Sequence, residues 1–259
     1  MGGRSGTGWG GRAKGVGGGA AANDYFGYSV SISGDYALVG AYGEDDGGTT
    51  SGSAYIFIRS GTSWSQQAKP VAGDAAADDY FGRSVSISGD YALVGEYGDD
   101  DGGSNPSGSA YTFVRSGTSW GQQAKLVAGD AAGSDNFGIS VSISGDYALV
   151  GAHQDDDGGS ASGSAYTFVR DGTSWSQQAK LVAGDAAGGD YFGNSVSISG
   201  DYALVGAYGD GAEVGSAYVF KIVALQNAKL VASDAAGGDY FGWSVSISGD
   251  YAVVGAFYD

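Results

Sequence analysis

The sequence predicts an all-β chain folded as a β-propeller of four-stranded antiparallel blades. Three observations predict it: a motif repeated along the whole chain, alternation of apolar and small polar residues inside each repeat, and a glycine-rich composition without cysteine. Ser29–Gly40 reads SVSISGDYALVG. The same string begins again at Ser84, Ser140 and Ser195, and a copy with Val253 in place of leucine begins at Ser244. Phe-Gly precedes every copy, at Phe26, Phe81, Phe137, Phe192 and Phe241, positions separated by 55, 56, 55 and 49 residues. Repetition at this period marks an architecture built from stacked supersecondary units.

Each repeat divides into four strands. In the first, Val30 and Ile32 alternate with Ser29, Ser31 and Ser33, the period-2 pattern of a strand. Gly34-Asp35 is a tight hairpin signal, and the second strand runs from Tyr36 to Ala41. A loop rich in glycine and aspartate, Gly43 to Gly52, leads to a third strand, Ser53 to Arg59, and Ser60-Gly61-Thr62-Ser63 turns the chain into a fourth, Trp64 to Ala72. Four antiparallel strands per repeat make one propeller blade. Neither face of the strand set is wholly polar, as expected of blades that pack a neighbour on either side. The small Ser and Ala positions leave room for large side chains of the next blade.

The chain reads as a single propeller over residues 1–259. Its repeats start near 24, 79, 135, 190 and 239, and residues 1–23 form a partial N-terminal repeat. Arg4-Ser5-Gly6-Thr7-Gly8-Trp9 repeats the pattern of Arg59-Ser60-Gly61-Thr62-Ser63-Trp64, whereas the last repeat stops after its second strand at Asp259. The expectation is a five-bladed propeller whose last blade is split between the termini. Completion of the ring or of a filament by another copy, and a fragment of a longer chain, are the alternatives.

Composition narrows the function classes. Gly is 51 of 259 residues, but Pro is only 2 and aromatic residues are 13%, which excludes collagen and a disordered glycine-rich polymer. Twelve basic against 29 acidic side chains give a net charge of −17, the wrong sign for displacing counterions from phosphate, so nucleic acid is excluded as a partner. Without cysteine there is no disulfide framework, zinc finger or thiol nucleophile. No run of 18 apolar residues predicts membrane insertion, and Met1-Gly2-Gly3-Arg4 does not begin a signal peptide.

Phe26-Gly27, Gly40-Ala41 and Gly52-Ser53-Ala54-Tyr55 resemble the FG-GAP repeats of integrin α-subunit propellers and of many bacterial surface proteins. The resemblance extends over nearly the whole chain and implies a propeller that binds or adheres outside the cell or at its surface. Two departures stand out. The proline of Gly-Ala-Pro is replaced by Tyr42, Tyr97, His153, Tyr208 and Phe257, and Gly34-Asp35 is too short to form the integrin-type calcium loop.

Acidic loops between the second and third strands are candidate calcium ligands: Glu44 and Asp46, Asp99 and Asp101, Asp155 and Asp157, the fourth loop being reduced to Asp210 and Glu213. Calcium takes six to eight oxygens, and alternate acids with glycine carbonyls and Ser104 are the type of donor it needs. The alternative is a solvated acidic turn. The aspartate before each Phe-Gly loop (Asp24, Asp79, Asp135, Asp190, Asp239) reads as a turn-former bonding the backbone. Trp64, Trp120 and Trp175 read as cover for the outer blade edge, with sugar stacking as the alternative. His153 is the only histidine, and no serine stands out as its partner in a hydrolytic triad, so the chain is read as a non-enzyme.

The five copies differ from one another chiefly at two slots. One holds Tyr28, Arg83, Ile139, Asn194 and Trp243; the other holds Tyr42, Tyr97, His153, Tyr208 and Phe257, with Glu96 replacing alanine beside one of them. The first strand leaves the Phe-Gly loop and the second returns to it, so both slots are expected on one rim. Aromatic and cationic residues dominate recognition surfaces. The expectation is therefore a binding or adhesion propeller that takes a protein or glycan ligand on this rim. The alternative is a structural subunit that self-associates through its split blade or edge strands.

Overall fold

The computed structural model describes residues 18–19, 21–100, 105–222 and 226–258. The N-terminal partial repeat lies almost wholly outside the described residues, and so do Asp101 and Ser104 of the second acidic loop.

Period-2 patterning becomes strand throughout. The first blade is β1 (Val30–Ser33), β2 (Tyr36–Ala41), β3 (Ser53–Ser60) and β4 (Ser63–Ala68). The second is β5 (Ser84–Ser88), β6 (Tyr91–Glu96), β7 (Ser109–Ser116) and β8 (Ser119–Leu126). The third is β9 (Phe137–Ser144), β10 (Tyr147–Ala152), β11 (Ser164–Asp171) and β12 (Ser174–Leu181). The fourth is β13 (Ser195–Ser199), β14 (Tyr202–Ala207), β15 (Ser216–Lys221) and β16 (Gln226–Leu230). Each is an antiparallel meander in chain order, and a two-stranded sheet of β17 (Ser244–Ser248) and β18 (Tyr251–Gly255) follows. The short segment α1 (Asp210–Glu213), whose Gly211, Ala212 and Glu213 take positive φ and so form a tight loop more than a regular helix, stands where the other blades carry longer acidic loops. The all-β expectation holds; the expected split of the last blade between the termini falls on N-terminal residues outside the described ones.

The fourth strand is shorter than expected in the first blade. β4 stops at Ala68, while β8 and β12 run on to leucine. Pro70 stands where those blades have Leu126 and Leu181, and proline has no N–H for the ladder. Its carbonyl still accepts from Ala54 N at 3.0 Å.

The core lies between blades. Leu38 and Ile56 of the first blade share a buried cluster with Val85, Ile87, Val94 and Tyr111 of the second, and the clusters between the second and third and between the third and fourth blades repeat this composition. The serines that alternate with Val and Ile do more than leave space. Ile87 N donates to Ser31 Oγ and Gly89 N to Ser33 Oγ, each at 3.1 Å, while Ser29 Oγ donates to the Gly82 carbonyl at 2.8 Å. The same three bonds recur at every later blade junction. They give a hydrogen-bond partner to edge N–H groups that face a neighbouring blade instead of water.

The two glycines of the motif meet at this junction. A Cβ on Gly40 would collide with the Gly82 carbonyl oxygen, and Gly82 itself sits at φ 88°, a conformation that disfavours any side chain. Phe81 is fully buried. It is bridged to Gly52 of the preceding blade and makes edge contacts with Tyr111 and Phe113, at centroid distances of 5.7 and 6.0 Å. The Phe81, Phe137 and Phe192 loops are thus each fastened to two blades at once.

Candidate functional site

Gly27 N donates to Gly40 O, so the start of β1 and the end of β2 share one end of the blade. The other end carries the β1–β2 and β3–β4 hairpins, held together by Arg59 N donating to Asp35 O at 2.8 Å and by the Arg59–Asp35 ion pair. Arg115–Asp90 and Arg170–Asp146 repeat that pair. The two variable slots therefore lie on one rim, opposite the arginine-clasped hairpins.

On that rim the slots form an aromatic arc. Tyr42 is 4.8 Å from Tyr28, edge-on, and 4.8 Å from Tyr25, stacked. Arg83 of the next blade lays its guanidinium over Tyr28 at 4.2 Å and over Tyr42 at 5.8 Å. Tyr97 stacks on Tyr80 and Tyr208 on Tyr191, at 5.1 and 4.9 Å. His153 lies 5.9 Å from Tyr191. Trp243 is 4.7 Å from Tyr208 and stacks on Phe257 at 4.9 Å, and its carbonyl accepts from Asn194 Nδ2 at 3.3 Å. Ile139 occupies the same loop position, half-buried, between Arg83 and Asn194 in blade order.

The electrostatics agree with this placement. Burial, and secondarily the Arg83 charge, push His153 down to about 4, so it is neutral at physiological pH. Burial raises Tyr42 and Tyr97, while the Arg83 charge pulls both the other way. Tyr25, Tyr80 and Tyr191, the ring partners not singled out by slot variation, have φ of 53°, 61° and 54°. Left-handed tyrosine is uncommon and costs of order 1–3 kcal/mol. The Phe-Gly loop holds it there to face the arc. Their recurrence in Tyr-Phe-Gly was the sequence signal for these rings.

The aspartates before the Phe-Gly loops act as read. Asp79 Oδ2 accepts from Ala76 N at 2.5 Å and Asp135 Oδ2 from Ala132 N at 2.7 Å, with the same bond at Asp24, Asp190 and Asp239. Trp120 and Trp175 cross to the preceding blade, where Nε1 donates to Gln67 and Gln123 at 3.0 and 2.8 Å. These two tryptophans, with Trp64, are half-buried.

The acidic loops are in part solvated, with Asp46 and Asp157 exposed, but Glu44, Asp99 and Asp155 are buried and a lysine in or just after the fourth strand reaches each. Lys69 Nζ is 2.7 Å from Glu44 and also pairs with Asp46. Lys125 pairs with Asp99 and Asp74 at 2.6 and 2.9 Å. Lys180 lies 2.8 Å from both Asp130 and Asp155 and 2.5 Å from Asp157. In the fourth blade Lys229 pairs with Asp210 and Asp185 at 2.5 and 2.7 Å. Buried tyrosine hydroxyls complete the clusters: Tyr166 donates to Asp155 at 2.8 Å and Tyr55 to Glu44 at 2.7 Å. Oxygens of Asp130, Asp155 and Asp157 lie within 4.8 Å of one another, close enough to share a cation, but the Lys180 ammonium stands among them. With the ammonium in place the donor set does not fit calcium. Burial disfavours the Lys180 charge, yet its bonds to Asp130, Asp155 and Asp157 outweigh this and raise its pKa. The repeated Ala-Lys at 68–69, 124–125, 179–180 and 228–229 was the available sequence signal.

A profile of the FG-GAP repeat matches residues 9–57, 64–113, 120–168, 175–220 and 225–259. The chain belongs to the FG-GAP repeat family. No curated protein matches it. The units matched at 64–113, 120–168 and 175–220 run from the fourth-strand tryptophan of one blade to the third strand of the next, so each of these spans a junction between blades. FG-GAP repeats indicate a propeller of the kind often used in binding and adhesion. Among the described residues no helix is long and apolar enough to cross a membrane.

Proposed function

We propose that this FG-GAP propeller is an extracellular binding module that takes a protein or glycan ligand on its Phe-Gly loop rim. The observation that carries the reading is two runs of ring contacts on that rim, one through Tyr28, Tyr42 and Tyr97 with Arg83 set into it, the other through Tyr208, Trp243 and Phe257. Tyr28, Trp243 and Phe257 remain exposed. Such rings offer large, rigid contact area at low entropic cost. Arg83 has no carboxylate partner among the described residues, whereas Arg59, Arg115 and Arg170 are clasped by aspartate. Equivalent loops on successive blades also favour avidity over one strong site. A binding role fits the rim better than catalysis, because His153, the sole histidine, is packed as one more ring of the arc.

The test is binding to a glycan array and to a panel of immobilised extracellular-matrix proteins. Arg83→Ala with Trp243→Ala is expected to weaken whatever binding is found tenfold or more, about 1.4 kcal/mol, with little change in Tm. Arg59→Ala at the opposite end should leave binding intact. Binding that survives the rim changes and is lost with Arg59→Ala assigns the ligand to the other face.

A further inference from the structure

Arg83 is held differently from the arginines of the hairpins. Arg59, Arg115 and Arg170 each give Nη2 to an aspartate, and Arg115 and Arg170 also give Nη1 to a glycine carbonyl. The lysines at the acidic loops are paired as well, Lys180 with three carboxylates. Arg83 has rings where these have acids. Its guanidinium lies over Tyr28 at 4.2 Å and over Tyr42 at 5.8 Å, both of the preceding blade. Its charge also bears on Tyr97 of its own blade and His153 of the third, in each case behind burial. None of the described residues accepts a hydrogen bond from the guanidinium, and none of its nitrogens is buried.

Stacking occupies the face of a guanidinium and leaves the N–H groups on its edge, a planar fork that matches the two oxygens of a carboxylate. The chain has 29 acidic side chains, any of which beside Arg83 would have satisfied that fork internally. The net charge of −17 also limits what arrives from outside: it repels a polyanion, and one guanidinium matches one acid. The backbone around Arg83 is already used. Gly82 N donates to Gly95 O at 3.1 Å, Arg83 N to Tyr80 O at 3.2 Å and Gly98 N to Asp79 O at 3.1 Å. A peptide laid here finds none of these main-chain donors free for strand addition. Tyr42, Tyr80 and Tyr97 are half-buried, so part of each ring stays open. A flat ring with a hydroxyl at its edge suits a sugar, whose C–H groups pack on the ring and whose hydroxyls bond to the phenol.

We propose that Arg83 and the tyrosines around it form an acid-recognising subsite, which takes the carboxylate of a single acidic sugar in an otherwise neutral glycan. The carboxylate meets the edge of the guanidinium while the sugar lies against the rings. This rests on the reading of the rim as a binding surface and adds the class of ligand and the residue that selects it.

Titration calorimetry with matched probes tests it: sialyllactose against lactose, cellobiouronic acid against cellobiose, sulfated lactose, and one peptide with a free or an amidated C-terminus. At least one acidic sugar is expected to bind about tenfold or more tightly than its neutral partner, and the pair that shows this identifies the acid as a sialic or a uronic one. The preference should weaken as salt is raised. Arg83→Gln is expected to remove the preference while leaving Tm and affinity for the neutral partner unchanged. Arg83→Lys should keep only part of it, because an ammonium has no fork. Equal affinity for acidic and neutral sugars, or a preference that survives Arg83→Gln, overturns the proposal. So does tighter binding of the sulfated sugar or of the free peptide carboxylate, which assigns the guanidinium to another acid. A neutral glycan or a matrix protein whose binding is lost with Trp243→Ala but indifferent to Arg83→Gln removes this proposal and leaves the rim reading standing. Binding that no rim change affects removes both.

Discussion

Lys180 Nζ lies 2.8 Å from Oδ2 of Asp155, a residue only 3% exposed. The ammonium is thus a built-in cation for a loop whose sequence reads as a metal ligand set. Burial would raise the Asp155 carboxyl, but hydrogen bonds from Lys180 and from the Asp157 N–H hold it below the ordinary carboxylate range. Its contribution to stability is therefore present above the unfolded pKa and lost as pH falls through the folded one. Lys180→Met should cost about 1–3 kcal/mol, the penalty for leaving a buried charged group unpartnered. It should also free Asp130, Asp155 and Asp157 for a divalent ion. Wild-type Tm is expected to be the same in chelator and in millimolar calcium, whereas the variant's Tm should rise with calcium by linkage. A calcium-sensitive wild type would show that the metal displaces the ammonium.

The fold was legible in the sequence because its determinants are local and repeated. Val30 and Ile32 set the strand period, Gly34-Asp35 the hairpin, and Phe81-Gly82 the close approach between blades. The rim was legible because the copies could be compared within one chain: variation at Arg83 and Trp243 stood out against invariant neighbours. The lysine clusters were not legible in the same way. Lys180 and Asp155 are distant in sequence and meet only because β12 lies beside β11, across from the acidic loop. A list of acids by spacing contains no term for a lysine arriving from another strand.

Glu96 gives a pH dependence of the opposite sign. It replaces the alanine found at Ala41, Ala152 and Ala207, is fully buried, accepts one bond from Ser109 at 3.2 Å, and leaves Oε1 without a partner. Burial first, and then the nearby Asp79 charge, push it from 4.5 to about 8. A carboxyl protonated in the folded state and ionised in the unfolded one stabilises at low pH. That contribution is lost as pH rises from about 4.5 through about 8. Glu96→Ala should raise Tm at pH 8, by the equivalent of about 1–3 kcal/mol, and change it little near pH 4. If the alkaline fall in Tm is identical in the variant, another group is responsible for it.

Gly95 and Gly89 separate steric from conformational demands on glycine. A Cβ on Gly95 would collide with the Gly138 carbonyl of the next blade and crowd Ser84 Oγ, so Gly95→Ala must push two blades apart. Its expected cost is about 2–4 kcal/mol. Gly89 has φ 57° with open space around it. Gly89→Ala incurs only the left-handed penalty, about 1–2 kcal/mol. Urea melts of the two variants check the order; a smaller loss at Gly95 would mean that the junction is loosely packed.

The third blade breaks the stacking rule of the rim and supplies its own test. In the first, second and fourth blades a left-handed tyrosine stacks on the tyrosine two residues past Val-Gly, as Tyr80 does on Tyr97. The third blade has Asn136 and His153 at those positions, both replaced together, and His153 Nδ1 is buried without a partner. Asparagine tolerates its φ of 58° better than tyrosine does. Asn136→Tyr alone should therefore destabilise by about 1 kcal/mol, and His153→Tyr alone should be close to neutral. Together they rebuild the stacked pair, and the double-mutant cycle should show a favourable coupling of about 0.5–1.5 kcal/mol. Thermal or urea denaturation of the four proteins measures it. Additive effects would mean that the tyrosine pairs merely fill space on the rim, and that the arc is set by the loops and not by contact between its rings.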